Sequence, residues 1–439
     1  MTAACGSAAG ASVRRWRSAR RRREPERSRR WESLIHYRWY AARREPELDP
    51  WLGAVEDRRL RLNSLDVVRG FAIFAMIIAH TVVFLDDREP RILEVLFHFL
   101  NDAASPLFAL VIGVTAGYQL RDAAHWDGRR KSFFAISWVI KAIVLILVGL
   151  LLSINFSGVL IVLDFLGIMM LVATPFLFLP AAWSAGAALA FLAAAPLVNE
   201  AARNWALTSA FSPTSMYDPT ALLLDWTVLG SAYRLTNLLP MLLIGFLLAR
   251  WQLGNLRRTA WVFGGGAVLL GASLFMRRLE EATTGITQSG SYGDEARDLG
   301  LALLAYAGIQ LLGDFSGERM RTWFSRLTKP LADMGTMAFS IYCLHVLILT
   351  AIWSQLLLGE ENWLAGPGLV YRQPQGVLTM VVIMVVCMVF ATLWRRYLGV
   401  GPLERVIGVL SLRHPPETLL AGPSASTTRS ERALPTPRG

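Results

Sequence analysis

Apolar runs of about twenty residues recur along this chain of 439 residues, and they constrain it more than any motif does. At about 1.5 Å rise per residue such a run, wound as an α-helix, covers a bilayer core about 30 Å thick while satisfying every backbone polar group within the segment. Runs of this kind are read at about 67–85, 95–119, 132–153, 158–179, 183–199, 231–249, 259–276, 298–313, 334–356 and 376–394. The expected fold is therefore all-α, a polytopic membrane bundle of about ten transmembrane helices. Composition agrees, because 54% hydrophobic and 18% charged residues give a mean hydropathy of +0.41, more apolar surface than a soluble core can bury. The eighth run is the shortest, and the side on which the C-terminus lies depends on counting it.

Charge supplies the orientation. Residues 1–61 hold 16 of the 44 Lys and Arg, so the net charge of +11 belongs largely to one end. Such a segment can bind nucleic acid or anionic lipid head groups. Beside a first transmembrane helix it is read as a cytoplasmic flank in contact with membrane lipid, and no nucleic-acid partner is expected. With this end inside, the inner loops carry 11 Lys and Arg in 44 positions and the outer loops 7 in 84, an excess of about threefold on the inner side. Both termini are then cytoplasmic and the membrane is the cytoplasmic membrane. The expected organisation is a basic, disordered tail over 1–61, a membrane domain over 62–396 and a largely disordered tail over 397–439, polar and Pro-rich past Leu412. Ala221 to Leu229 is apolar but carries Asp225, which points to a segment lying in the interface. The first apolar run starts too late for a signal peptide and is expected to remain as an anchor. Cys5, Cys343 and Cys387 form neither a disulfide framework nor a zinc spacing, and no metal is expected.

An ionisable residue inside a transmembrane helix costs about 2.5–3.5 kcal/mol on insertion scales, so each one asks for a reason. Five stand out: Arg69, His80, Lys141, Asp164 and His345. Arg69 and His80 are eleven residues apart, which returns to within about 20° of one helix face after three turns. Arg69 lies close enough to the inner interface to snorkel, whereas the short imidazole of His80 lies too deep. His80 is either a hydrogen-bonded packing residue or a proton acceptor for an attacking hydroxyl or amine, the task its near-neutral pKa suits. Asp164 could orient His80 as a carboxylate does in a triad, or simply neutralise Lys141; Asn101 and Asp102 are rival partners for His80. His345 could be a second acid/base, a substrate contact or a packing residue. Counted up from the inner helix ends, the cations Arg69 and Lys141 lie lower than the His/Asp group. A polyanionic donor entering from the cytoplasm would thus meet Arg69, Lys141 and the inner-loop group Arg129, Arg130 and Lys131, with its reactive end near His80. Gly113 and Gly117 form a GxxxG that indicates close helix packing.

LDVVRGFAIFAMIIAH (Leu65 to His80) resembles the first-helix signature of the transmembrane acyltransferase superfamily, in which an Arg-Gly pair near the inner face precedes a His eleven residues after the Arg. NDAASPLFALVIGV (Asn101 to Val114), LDFLGIMML (Leu163 to Leu171), LLPMLLIGFLLAR (Leu238 to Arg250) and LTKPLADMGTMAFSIYCLH (Leu327 to His345) are similar to later helices of that superfamily, in order. It includes the acyltransferase-3, heparan-α-glucosaminide N-acetyltransferase and YeiB-like families. The resemblance implies a fold of roughly ten helices that takes an acyl group from cytoplasmic acyl-coenzyme A and places it on a sugar or related acceptor, with His80 as the chemical residue and Arg69 as its companion. Arg129, Arg130 and Lys131 correspond loosely to an Arg-rich stretch before the third helix.

The function expected from all this is transfer of a short acyl group, acetyl from acetyl-CoA in the leading case, to a glycan or glycolipid of the envelope of a bacterial cell. Two rivals stand beside it: a transporter or lipid-handling protein using the same residues as a proton relay, and a binding or scaffold protein of the same fold without chemistry.

Overall fold

The structure is a computed structural model that describes residues 55–81, 91–154, 159–209, 218–252, 254–285, 288–358 and 376–411. Apart from the opening residues of the first helix, these belong to one unit, Leu60–Gly439. The basic segment up to residue 54 and the Pro-rich end from residue 412 lie outside the described residues. Among the described residues there is no strand, and fourteen α-helices account for the fold.

They are α1 Val55–Thr81, α2 Arg91–Gln119, α3 Gly128–Ile154, α4 Leu163–Phe178, α5 Ala181–Thr208, α6 Pro219–Leu224, α7 Leu235–Trp251, α8 Leu256–Thr284, α9 Tyr292–Gly313, α10 Glu318–Leu327, α11 Lys329–Thr336, α12 Ala338–Leu358, α13 Gly376–Tyr397 and α14 Pro402–Leu410. Each of the ten apolar runs coincides with helix. Six helices are long and apolar enough to cross a bilayer alone, namely α1, α2, α3, α5, α8 and α13. The α4 and α7 helices are shorter, at 16 and 17 residues. The first two turns of α9 carry Asp294, Glu295, Arg297 and Asp298. The protein is an all-α, multi-pass membrane protein.

Burial sorts these helices into a centre and a rim. Over Ser64–Thr81, α1 is 72% buried, whereas α3, α5 and α8 are 22% buried, so α1 runs through the middle and the others face outward. The rim shows Leu147, Leu151, Leu189, Val268 and Phe275 exposed, as a surface solvated by lipid tails should. Small residues let the inner helices touch. A Cβ on Gly113 would stand 1.9 Å from the Leu242 carbonyl oxygen, and one on Gly245 would stand 2.0 Å from that of Leu110, so α2 and α7 meet backbone to backbone. In the same way a Cβ on Gly70 would lie 1.8 Å from the Leu331 oxygen and one on Gly335 1.8 Å from the Asp66 oxygen, which locks α1 to α11.

One expectation is corrected. The single span read at 334–356 is a broken one: α11 and α12 meet at a bend of 92°. The polar side of the break is held by charge, because buried Asp333 pairs with Lys329 at 2.8 Å and with Arg395 of α13 at 3.0 Å. The apolar side starts afresh as its own helix. Ser340 N–H, in its first turn, donates to Glu404 Oε1 at 3.0 Å, and the Ser340 hydroxyl bonds Glu404 Oε2, so a carboxylate from α14 caps it. The cap also refines the tail, since residues 402–410, assigned above to its start, form α14 packed against α12 and α3.

Candidate functional site

The bend at Met337 and the central path of α1 bring together two residues 265 positions apart. His80 is in the last turn of α1 and His345 two turns into α12; both are buried, at 5% and 0% exposure. His80 Nδ1 lies 2.9 Å from His345 Nε2, and the rings stack with centroids 5.1 Å apart and planes 20° from parallel. The neighbourhood fixes the protons. His345 Nδ1 is 3.2 Å from the Ile341 carbonyl oxygen, which can only accept, so Nδ1 carries a hydrogen and Nε2 presents a lone pair. His80 Nδ1 must then donate to that lone pair. Its own Nε2 is left as an acceptor, is buried, and has no partner among the described residues. The arrangement requires a neutral His345, and a neutral His80 leaves its Nε2 lone pair free.

Tyr342, one turn before His345 on the same face, meets both imidazoles edge-on, with centroids 5.0 Å from His345 and 6.4 Å from His80. Its Oη accepts the Val162 N–H at 3.1 Å, which ties α12 to the start of α4. Tyr342 also lines a largely apolar cavity of about 290 Å³ shared with Phe339, Trp138, Thr115, Arg69 and Lys141. Arg69 is held in place by Asp66 and by the Thr115 hydroxyl, both at 2.7 Å. Thus Arg69 and Lys141 line one cavity, and the histidine pair touches the tyrosine in its wall.

Asp164 lies elsewhere around the same tyrosine. Its Oδ2 accepts Trp226 Nε1–H at 2.8 Å, and the backbone N–H groups of Asp164 and Phe165 in the first turn of α4 face the carboxylate. The ring nitrogen of His80 that Asp164 was expected to orient bonds His345 instead. Neither rival partner reaches His80: Asn101 donates to Asp102, and Asp102 pairs with Arg297 at 3.1 Å, where Arg297 also meets Asp294 and Asp298. Arg129, Arg130 and Lys131 occupy the first turn of α3, about 15 Å of helix from Lys141. Arg130 stacks over the Trp126 ring at 4.5 Å, and none of the three lines the cavity.

Sequence reasoning passed over Tyr342 and Trp226. The spacing Tyr342-x-x-His345 puts the two on one helix face and was the available signal. Trp226 carried none, because it arrives on the interfacial segment, where Asp225–Leu229 forms a π-helical turn.

Fold and site together define an all-α, multi-pass membrane protein with a buried histidine pair beside an interior cavity. The chain belongs to the acyltransferase-3 family, whose acyltransferase domain matches residues 62–394. Comparison with curated proteins gives no match.

Proposed function

We propose that the protein moves a short acyl group, acetyl in the leading case, from cytoplasmic acyl-CoA to a hydroxyl or amine of an envelope glycan or glycolipid in a bacterial cytoplasmic membrane. The observation that carries this reading is the free lone pair on buried His80 Nε2, backed by a neutral histidine and meeting no donor among the described residues. A buried acceptor left empty by the protein is suited to receive a proton from substrate. The acceptor's O–H or N–H donates to Nε2 while its O or N attacks the thioester carbonyl carbon. The C–S bond then breaks, and the departing thiolate takes the proton back from the imidazolium. His345 supports the charged state because its Nε2 already accepts the Nδ1 hydrogen of His80. The cavity suits the donor, with apolar walls for the chain and Arg69 and Lys141 for phosphate or polar groups.

The test uses purified protein in nanodiscs with labelled acetyl-CoA and extracted envelope glycolipid. Transfer is expected in the wild type and should fall by about 10²–10⁴-fold in His80→Ala, the usual worth of a general base. Undiminished transfer in His80→Ala rules out the mechanism. Transport that needs a proton gradient and no acyl-CoA favours a relay.

A further inference from the structure

The ten residues of α10, ERMRTWFSRL, are too few and too polar to cross a bilayer, yet the helix leaves its large apolar side chains open. Met320, Trp323 and Leu327 are 48%, 59% and 61% exposed. At about 100° per residue these three share an arc of about 60°, and Arg319 and Arg326 lie together on the flank next to Trp323. Glu318, the one acid of the helix, falls on the opposite side. Both arginines are exposed and form no hydrogen bond or ion pair among the described residues. The remaining side of α10 faces the protein, where Arg321, Phe324 and Ser325 close a cavity of about 110 Å³ with Ser64 and Val67 of α1. Arg321 donates to the Asp314 carbonyl oxygen at 3.2 Å, and Asp314 Oδ2 accepts the Ser64 hydroxyl at 2.8 Å. The helix is thereby pinned to the ends of α1 and α9.

That position says what covers the open stripe. Ser64 begins the membrane-spanning part of α1 and Gly313 ends α9, so a helix fixed to both stands at the bilayer boundary, on the side where the loop cations collect. Exposed Trp, Met and Leu at that level meet the acyl chains, and unpaired guanidinium groups beside them reach headgroup depth, where their fork geometry suits phosphate. We propose that α10 docks on the cytoplasmic leaflet as an interfacial helix and selects anionic over zwitterionic phospholipids through Arg319 and Arg326. The other short helix near this face lacks the free charge. In α14, Val406, Val409 and Leu410 are exposed, but Arg405 turns back onto the Leu398 and Val400 carbonyl oxygens. Selection by headgroup therefore falls to α10.

The experiment attaches a thiol-reactive fluorophore at Leu327→Cys in the full chain carrying Cys5→Ser, with Cys343 and Cys387 left in place because both are buried. The protein is reconstituted in vesicles of phosphatidylcholine and phosphatidylglycerol, with brominated chains on one lipid or the other. Both lipids are expected to quench the label, and phosphatidylglycerol should be favoured there by about fivefold or more at low salt, since one cation near an anionic surface is worth about that factor. Arg319→Gln combined with Arg326→Gln should bring the preference close to parity and leave quenching by phosphatidylcholine unchanged. A label at Thr322→Cys, on the exposed polar side, should answer to aqueous iodide instead of brominated lipid. Equal quenching by the two lipids with both arginines present overturns the selectivity, and a preference that survives the double substitution removes Arg319 and Arg326 from it. A Leu327→Cys label reached by iodide but by neither lipid places the stripe in water and overturns the docking. Shielding from iodide and from both lipids does so as well, because a second protein chain then covers the stripe.

Discussion

Replacing His345 with Phe tests the proton arrangement directly, because the ring is kept and only the nitrogens go. The change leaves His80 Nδ1–H buried without the acceptor now 2.9 Å away. Stranding a buried donor costs about 1–3 kcal/mol, and His80 can escape by moving its hydrogen to Nε2. At about 1.4 kcal/mol per tenfold, that penalty depletes the useful tautomer by about 5- to 150-fold. The expected result is a fall in kcat of about 10- to 100-fold, with the acetyl-CoA KM little changed. His345→Gln should recover much of this, since its amide can accept from His80 while donating to the Ile341 carbonyl. A ¹⁵N spectrum of histidine-labelled protein gives a readout that a packing role would not move. His80 should carry its hydrogen on Nδ1 in the wild type and in His345→Gln, and on Nε2 in His345→Phe. Full activity in His345→Phe, or an unshifted tautomer, refutes the reasoning.

Three further outcomes are expected. Lys141→Met keeps an apolar stem in the cavity and removes the charge; it should raise the acetyl-CoA KM about tenfold at near-constant kcat, and an unchanged KM removes Lys141 from donor binding. Gly70→Ala drives a methyl to 1.8 Å from the Leu331 oxygen and should destabilise the α1–α11 contact by at least about 1–3 kcal/mol, read as a lowered melting temperature in detergent; wild-type stability would mean that the helices separate freely. Cysteine probes in 200–230 and 277–297 should react with an impermeant external reagent and probes in 314–333 should not; the opposite pattern reverses the orientation drawn from loop charge.

The helices were legible because an apolar run of bilayer length is a demand on the whole segment, independent of its neighbours. Where the reading missed, the cause was tertiary. The break at Met337 rests on Gly335 pressing against Asp66 of α1 and on Glu404 arriving from α14, and both partners lie outside the local sequence of 334–356. For the site, the residue types were legible and the pairing was not. His80, His345 and Asp164 each stood out as costly in lipid, yet which met which depends on where a 92° bend aims α12. A triad-like pattern favoured Asp164 as the partner, and the broken helix supplied His345.

The Glu404 cap has a practical side. Ser340, which Glu404 holds, lies five positions before His345, and Ile407 of the same short helix as Glu404 forms part of the cavity wall. The last described stretch of the chain is thus tied to the helix that carries His345 and to the cavity, although it follows every described membrane-spanning helix. Trimming the protein back to Tyr397 would leave a bundle that inserts and looks intact while its α12 start hangs loose. A tag fused before Ser411 would do similar damage. An inactive preparation of such a protein would say more about where the chain was cut than about whether it is an enzyme.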